Sequence, residues 1–381
     1  MSKTALILGA GIGGIVAAET LRKLLPREHR VVVVERERNH VFAPSLLWYM
    51  TGKGQAADFS RPIAALAGKG IELVAGEIGR IDPAALAVEV GGQSFAGDAL
   101  VVALGADYAP QAVPGLAEHG LNLYTLAGAE RIHAALESFT GGRIAVLTAA
   151  PAYKCPAAPY EAAMLIDAWL RQHGRRSGTD IAFYAAEPQP MPVAGPVVGG
   201  QVRGMVEGKG IGYFPSHQIA KVEPGMLHFA DGKSAAFDLL LYVPPHRVPA
   251  VVKEAGLTAE SGWIAVDRAT LETKFPNVYA IGDVTAIPLK MGKPLPKAGV
   301  FAHGQAETVA KNLARAWTGS GAAARFDGYG MCFIETGGGA AGMGSGNFYA
   351  EPAPELNLRF PSPIWHLGKI LYEKYWLWRR F

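Results

Sequence analysis

Only two cysteines occur among the 381 residues, Cys155 and Cys332, and 177 positions separate them. Such a count excludes a disulfide scaffold and a cysteine-rich metal site, so no metal is expected. What two thiols can do is exchange: a thiolate attacks a disulfide or polysulfide sulfur, and two electrons change hands. Each cysteine taken alone could instead be a small buried hydrophobe, so its neighbours decide. Cys155 stands in Lys154-Cys155-Pro156-Ala157-Ala158-Pro159-Tyr160-Glu161. Pro156, Pro159 and Glu161 read as the opening of a helix. The amino end of that helix, together with Lys154, is expected to favour the thiolate. Glu161 on its own would complement the helix dipole.

A second group of chemistry-bearing residues is made of glycines. Gly9-Ala10-Gly11-Ile12-Gly13-Gly14 follows the apolar run Thr4 to Leu8 and precedes helical periodicity from Ile15 to Leu25. In this strand, turn and helix, Gly9 permits the tight turn, Gly11 lets backbone approach a pyrophosphate, and Gly14 allows close packing of helix on sheet. The helix amino end then faces the anion. The next apolar run, Val31 to Val34, ends at Glu35, 24 residues beyond Gly11, where an acid for ribose hydroxyls belongs. Glycine spacing alone is weak evidence; with the flanking strand, the helix and Glu35 it defines a dinucleotide-binding unit.

These groups need a scaffold. With 50% hydrophobic and 18% charged residues the chain can bury large cores in two or three domains, and 47 glycines with 26 prolines imply many tight turns, as in an α/β protein. Short strands over 71–74, 87–90 and 100–104 follow the first unit, the last running into Gly105-Ala106. A new strand, Arg143 to Thr148, and helical periodicity from Tyr160 to Arg171 open a second unit of the same kind. Its turn has no glycine fingerprint, so a nicotinamide pyrophosphate would fit poorly, and Cys155 stands there instead. Thr270 to Asp283 form a strand ending in Gly282-Asp283 that returns to the first lobe. A helix from about Ala298 to Trp317 follows, and then a glycine-rich segment, Cys332 to Ala350, of strands and turns. The expected fold class is α/β, with two Rossmann-like dinucleotide-binding domains and a C-terminal membrane-associating region. The first domain comprises 1–107 and 263–325, the inserted nicotinamide-like domain 108–262, and the C-terminal region 326–381.

Net charge is +3, too weak for a nucleic-acid footprint. No run of about 18 strongly apolar residues occurs, so no membrane-spanning helix is expected. The apolar stretch Thr4 to Ala18 is interrupted by glycines and is not read as a signal peptide. The tail Ile364 to Phe381 mixes Trp, Tyr and Leu with Lys369, Lys374, Arg379 and Arg380. It suits an interfacial helix at the surface of a membrane, the alternatives being a dimer interface or a helix packed on the body.

Taken together, Gly9 to Gly14 with Glu35, Val101 to Ala106 and Thr273 to Asp283 resemble the FAD domain of two-dinucleotide-domain flavoprotein oxidoreductases, and the match spans most of the chain. Within that group, the stretch Lys154 to Glu161 and the late Cys332 resemble sulfide:quinone oxidoreductases and the flavoprotein subunit of flavocytochrome c sulfide dehydrogenase. The resemblance implies FAD on Gly9, Gly11, Gly14, Glu35, Gly105, Gly282 and Asp283, with Lys297 approaching the flavin ring. It implies a Cys155/Cys332 relay that takes electrons from hydrogen sulfide, Glu161 as the acid/base carboxylate beside it, and a quinone as acceptor, with Phe333 and Phe360 lining its pocket. Residues 15–60 contain no cysteine, which disfavours glutathione-reductase chemistry and leaves FAD non-covalent. A third, upstream cysteine found in many quinone-linked relatives is missing here. The implied product is polysulfide or sulfur, and the implied location a membrane surface, as a peripheral homo-oligomer. Three other readings stay open: transfer to cytochrome c, which the lack of a recognised leader disfavours; a type II NADH dehydrogenase; and a polysulfide or redox sensor without turnover.

Overall fold

In the computed structural model, which describes all 381 residues, Thr4–Leu8 (β1) is an inner strand with neighbours on both sides. It leads into α1 (Ile12–Leu24), β2 (Arg30–Glu35), β3 (Glu72–Ala75) and β4 (Ala99–Val102). The near-continuous apolar composition of β1, β2 and β4 follows from burial on both faces, as parallel sheets require. Ala5, Ile7, Val31, Val33, Ala99 and Val101 join one core, whereas Leu6, Leu8, Val32, Val34, Leu100 and Val102 join another on the opposite face.

The chain then crosses to a second lobe. There β5 (Leu121–Asn122), α2 (Leu126–Ser138), β6 (Gly142–Thr148), α3 (Ala158–Gln172), β7 (Thr179–Ala185), α4 (Gly195–Glu207), β8 (Gly212–Phe214) and β9 (Leu239–Val243) build a parallel sheet in the order β5-β9-β6-β7-β8. Alternation repeats here: Ile144 and Val146 face the large core, and Ala145 and Leu147 a separate one. Asp107–Tyr108 and His246–Arg247, the outgoing and returning crossings, pair antiparallel between the lobes.

On return, β10 (Val278–Ala280) completes the first sheet in the order β10-β4-β1-β2-β3, and α5 (Gly299–Thr318) packs against α1. Each lobe also carries a three-stranded antiparallel meander, one over residues 78–96 and one over 219–236. The chain ends in an antiparallel sheet of β11 (Tyr329–Gly337), β12 (Ala340–Asn347) and β13 (Glu355–Ser362), followed by α6 (Pro363–Arg380). β11 packs against α3, and α6 lies on the sheet with Trp376 and Leu377 in the large core. The terminal unit therefore closes over the junction of the two lobes.

Candidate active site

At the nucleotide end, Gly9 has φ +98°, a conformation suited to glycine, and donates its N–H to the Val34 carbonyl at 2.8 Å. A Cβ on Gly14 would lie 1.8 Å from the Gly9 carbonyl oxygen, so the turn and helix can approach only through glycine. A Cβ on Gly11 would meet no protein atom within 4 Å. The open space lies at the amino end of α1, which no side chain caps. The equally uncapped amino end of α5 stands beside it, since a Cβ on Gly299 would lie 2.6 Å from Ile12 Cδ1. Two helix amino ends with free N–H groups, bordering a space kept clear of side chains, fit the diphosphate of a dinucleotide. Glu35 ends β2 beside this turn, accepting from Ala10 N at 2.6 Å, Arg36 N at 2.8 Å and Glu37 N at 2.9 Å.

Further along, Gly105, three residues beyond β4, has φ +68° and nothing near its missing Cβ, and Gly282 donates to Gln305 Oε1 at 2.7 Å. The half-buried Asp283 carboxylate has no hydrogen bond or ion pair within the protein. Burial pushes its pKa up, against the attraction of Lys154 and Lys297. A carboxylate kept without a protein donor suits a ligand bearing hydroxyl groups. These residues fit FAD. Lys297, by contrast, turns its ammonium to the carbonyls of Asp283 at 2.7 Å and Thr285 at 2.9 Å, over the Trp263 ring. Burial lowers its pKa to about 8, with Asp283 opposing.

The second lobe departs from this plan. α1 begins four residues beyond β1, whereas α3 begins ten beyond β6. Glu187 stands just beyond the end of β7, much as Glu35 stands at the end of β2, but it is buried and accepts from Thr148 Oγ1 at 2.7 Å. Tyr160, stacked on Phe183 at 4.6 Å, fills the adjoining core. The place of a second dinucleotide is taken by packed side chains.

The extra residues form the loop of Cys155. Ala152 and Cys155 both have positive φ, +66° and +48°, which non-glycine residues rarely adopt. Surrounding bonds impose it: Cys155 N donates to the Lys297 carbonyl at 2.7 Å, and Tyr124 Oη to the carbonyls of Lys154 at 2.7 Å and Cys155 at 3.3 Å. Lys297 thus ties the flavin lobe to the cysteine loop through its backbone.

Both cysteines are free thiols. Glu161, 2% exposed in the first turn of α3, joins three elements: its Oε1 accepts from Glu335 N of β11 at 2.9 Å and from Lys369 Nζ of α6 at 2.7 Å. Glu335, itself 1% exposed, meets His366 Nδ1 of α6 at 2.9 Å. The junction that brings α3 and β11 together sets the electrostatics of the thiols. Burial and then Glu161 push the Cys155 pKa up to about 12, against Lys369 and the Ala158 N–H. Cys332, by contrast, is exposed on β11, and the neighbouring Cys155 and Glu161 push its pKa up. Water at this end of the strand screens part of that field.

Three expectations change here. The helix amino end and Lys154 do not carry Cys155 to the thiolate: the Ala158 N–H helps, but burial and the Glu161 charge outweigh it. The cation that lowers the thiol is Lys369, a residue assigned above to a membrane-facing tail. Lys369 is 7% exposed and paired with Glu161, and Arg380 is paired with Glu19. α6 turns polar Lys369 and Glu373 inward and leaves Ile364, Leu367, Leu371, Tyr375 and Trp378 exposed. Finally, Phe333 and Phe360 part company. A Cβ on Gly368 would touch the Phe333 ring at 3.4 Å, placing that ring beneath α6, while Phe360 stands 79% exposed.

A fold of two Rossmann-like lobes, with a dinucleotide turn in the first and none in the second, defines a flavoprotein oxidoreductase. The chain belongs to the pyridine nucleotide-disulphide oxidoreductase family, whose pattern matches residues 3–308. It is similar to the sulfide-quinone reductase of Aquifex aeolicus (strain VF5), 26% identical over 100% of this chain and 91% of that protein. It is also similar to the mitochondrial sulfide:quinone oxidoreductase of Mus musculus, 24% identical over 91% and 78% of the two chains. The crystal structure of the Aquifex aeolicus sulfide:quinone oxidoreductase superposes with a TM-score of 0.90 at 23% identity, covering 100% of this chain and 91% of that one.

Proposed function

We propose that the protein oxidises hydrosulfide through Cys155 and Cys332 and delivers the electrons to a quinone. The observation that carries this reading is the junction itself: Glu161 binds β11 and α6 at once, holding the Cys155 helix against the Cys332 strand beside the FAD lobe. The filled second crevice, with Glu187 bonded to Thr148, disfavours a nicotinamide donor.

FAD, when bound on the glycine turn, supplies a two-electron acceptor that can be reoxidised. The protein's part begins with a polysulfide bridge between Cys155 and Cys332. Hydrosulfide attacks a bridge sulfur, a new S–S bond forms, and the old one breaks with one cysteine leaving as thiolate. Burial disfavours that thiolate, so its electron pair has reason to move on. Lys369 stabilises the anion in transit, and Glu161 fixes Lys369 and can exchange a proton beside the sulfur. The exposed apolar row of α6 lies on a membrane surface, and Phe333 beneath Gly368 lines the way in for quinone from that surface. No helix is long and apolar enough to cross a membrane. The test is an anaerobic sulfide titration of the flavin absorbance, followed by a quinone analogue, cytochrome c or NADH in separate runs. Bleaching by sulfide with recovery by quinone is expected; bleaching by NADH, or recovery by cytochrome c alone, contradicts the reading.

A further inference from the structure

The turn between β1 and α1 is held by more than its glycines. Ala10 is 2% exposed, and both polar groups of its backbone are bonded. Its N–H donates to Glu35 at 2.6 Å, and its carbonyl lies 3.1 Å from Nδ1 of His40, in the short strand Asn39–Val41. A carbonyl only accepts, so His40 carries its proton on Nδ1 and donates it. We propose that His40 is the positioning residue that aims the Gly11 N–H at the FAD diphosphate, and that α6 holds His40 in place.

Peptide geometry links the two residues. The Ala10–Gly11 peptide is planar and trans, so its C=O and N–H point in opposite directions. With the carbonyl drawn toward His40, the Gly11 N–H faces away from it. That N–H has no acceptor in the protein, and the space beside Gly11 is clear of side chains. Rotating this peptide by half a turn would exchange the two groups and set a carbonyl oxygen against an anion. Most residues resist such a flip, because it carries the residue after the peptide from negative to positive φ. Gly11, at φ −72°, does not resist it. The glycine that lets backbone approach the diphosphate thus leaves the peptide free to turn over, and the bond from His40 prevents it. A flipped peptide would also leave the Nδ1–H of His40 buried without a partner, which is costly.

His40 is 6% exposed, and burial lowers its pKa, which keeps the ring neutral near pH neutrality. Its Nε2 has no partner, so the ring is oriented by the Ala10 bond and by what packs on its faces. Trp376 of α6 stacks on it at 4.8 Å and 28°, and Phe381 lies at 5.6 Å. α6 is in turn fixed to α1, the helix that the glycine turn begins. Glu19 of α1, 2% exposed, accepts from Arg380 at 2.5 Å and from Lys69 at 2.6 Å, and Lys69 also donates to the Arg379 carbonyl at 3.1 Å. The end of α6 therefore supports both the turn peptide, through His40, and the helix behind it. The helix that carries the outward apolar row also sets the diphosphate site.

The test uses the FAD-loaded protein. Release of FAD on dilution is timed by the rise of flavin fluorescence, and phosphorus NMR records the phosphates of bound FAD. His40→Leu, apolar and without a donor, should release FAD about tenfold faster, the worth of one hydrogen bond to a buried carbonyl. It should also shift the phosphorus signals. His40→Asn places an amide N–H near the position of Nδ1–H and should bring both readouts most of the way back, a rescue that lost packing alone would not allow. Arg380→Gln leaves Lys69 on Glu19 and every residue of the turn intact. It should release FAD several-fold faster, with the phosphorus signals displaced in the same direction. Wild-type release and unmoved signals in His40→Leu would overturn the role of His40, as would equal impairment of the Leu and Asn variants. Wild-type behaviour of Arg380→Gln would overturn the support by α6. Should His40→Leu not fold, fast release by His40→Asn overturns the role of His40 by itself. Neither readout involves sulfide, so the outcome is independent of the function proposed above.

Discussion

Lys369 of the last helix donates to Glu161 of α3 at 2.7 Å across 208 positions of sequence, and both side chains are buried. The C-terminal segment is thereby built into the thiol site. Removing one partner leaves the other charge buried and uncompensated. Lys369→Met should cost about 3–5 kcal/mol of stability in denaturant unfolding. The pH dependence has a defined sign. Burial works to lower the Lys369 pKa, but Glu161 and Glu335 outweigh it and the pKa is raised. The contribution is therefore whole below the unfolded lysine value of about 10.4 and fades as pH rises through the folded one. The stability gap between wild type and Lys369→Met should stay constant near neutrality and close only at strongly alkaline pH.

Thiol labelling reports the same network. Only the thiolate alkylates, and the Cys155 pKa is pushed up to about 12 by burial first and Glu161 second. Iodoacetamide labelling of Cys155 in the reduced protein should therefore rise about tenfold per pH unit through pH ~10 without a plateau. Glu161→Gln should speed labelling at fixed pH, and Lys369→Met should slow it. A plateau near pH 7 would show a stabilised thiolate and contradict this electrostatic picture.

Two glycines of one turn should fail differently. At Gly14 a Cβ collides with the Gly9 carbonyl at 1.8 Å, so Gly14→Val should unfold the turn and lower the melting temperature. At Gly11 a methyl meets no protein atom, so Gly11→Ala should keep the wild-type apoprotein stability. Its added group enters the space left for the pyrophosphate, and FAD affinity should fall about tenfold or more, ~1.4 kcal/mol. Fluorescence titration of apoprotein with FAD, beside apoprotein melting curves, separates the two outcomes.

What the sequence disclosed was what is local. β1, the glycine turn, α1 and Glu35 lie within 32 residues and follow from apolar runs, glycine and one acid. The Cys155 loop was legible as an altered turn because its glycines are missing. The environment of Cys155 was not, because burial sets it first, and the cation that opposes burial and Glu161, Lys369, arrives from the far end of the chain. α6 carried a readable signal: at helical spacing Lys369, Glu373 and Trp376 share one face, and Ile364, Leu367, Leu371, Tyr375 and Trp378 another. Placing its basic residues at a membrane surface hid that Lys369 and Glu373 face inward. For the pairing of Glu335 with His366 the sequence offered no signal, since neither lies in a motif and they meet only once α6 lies on β11.

The outward apolar face of α6 predicts membrane binding. Leu371→Asp with Trp378→Ser removes apolar surface from exposed positions, so folding should be unaffected. Cosedimentation with phospholipid vesicles should fall several-fold, given ~0.8 kcal/mol per buried methylene. Equal cosedimentation of variant and wild type would place the membrane contact elsewhere.

The central claim is that the two thiols feed electrons from sulfide to FAD and thence to quinone. Its most direct test is the flavin absorbance near its visible maximum, followed anaerobically as sulfide is added to wild type, Cys155→Ser and Cys332→Ser. Wild type should bleach and recover its colour on addition of a quinone analogue. Each serine variant should retain FAD yet bleach at least ~10²-fold more slowly. Bleaching of either variant at the wild-type rate, or a wild-type flavin that sulfide leaves oxidised, would contradict the account.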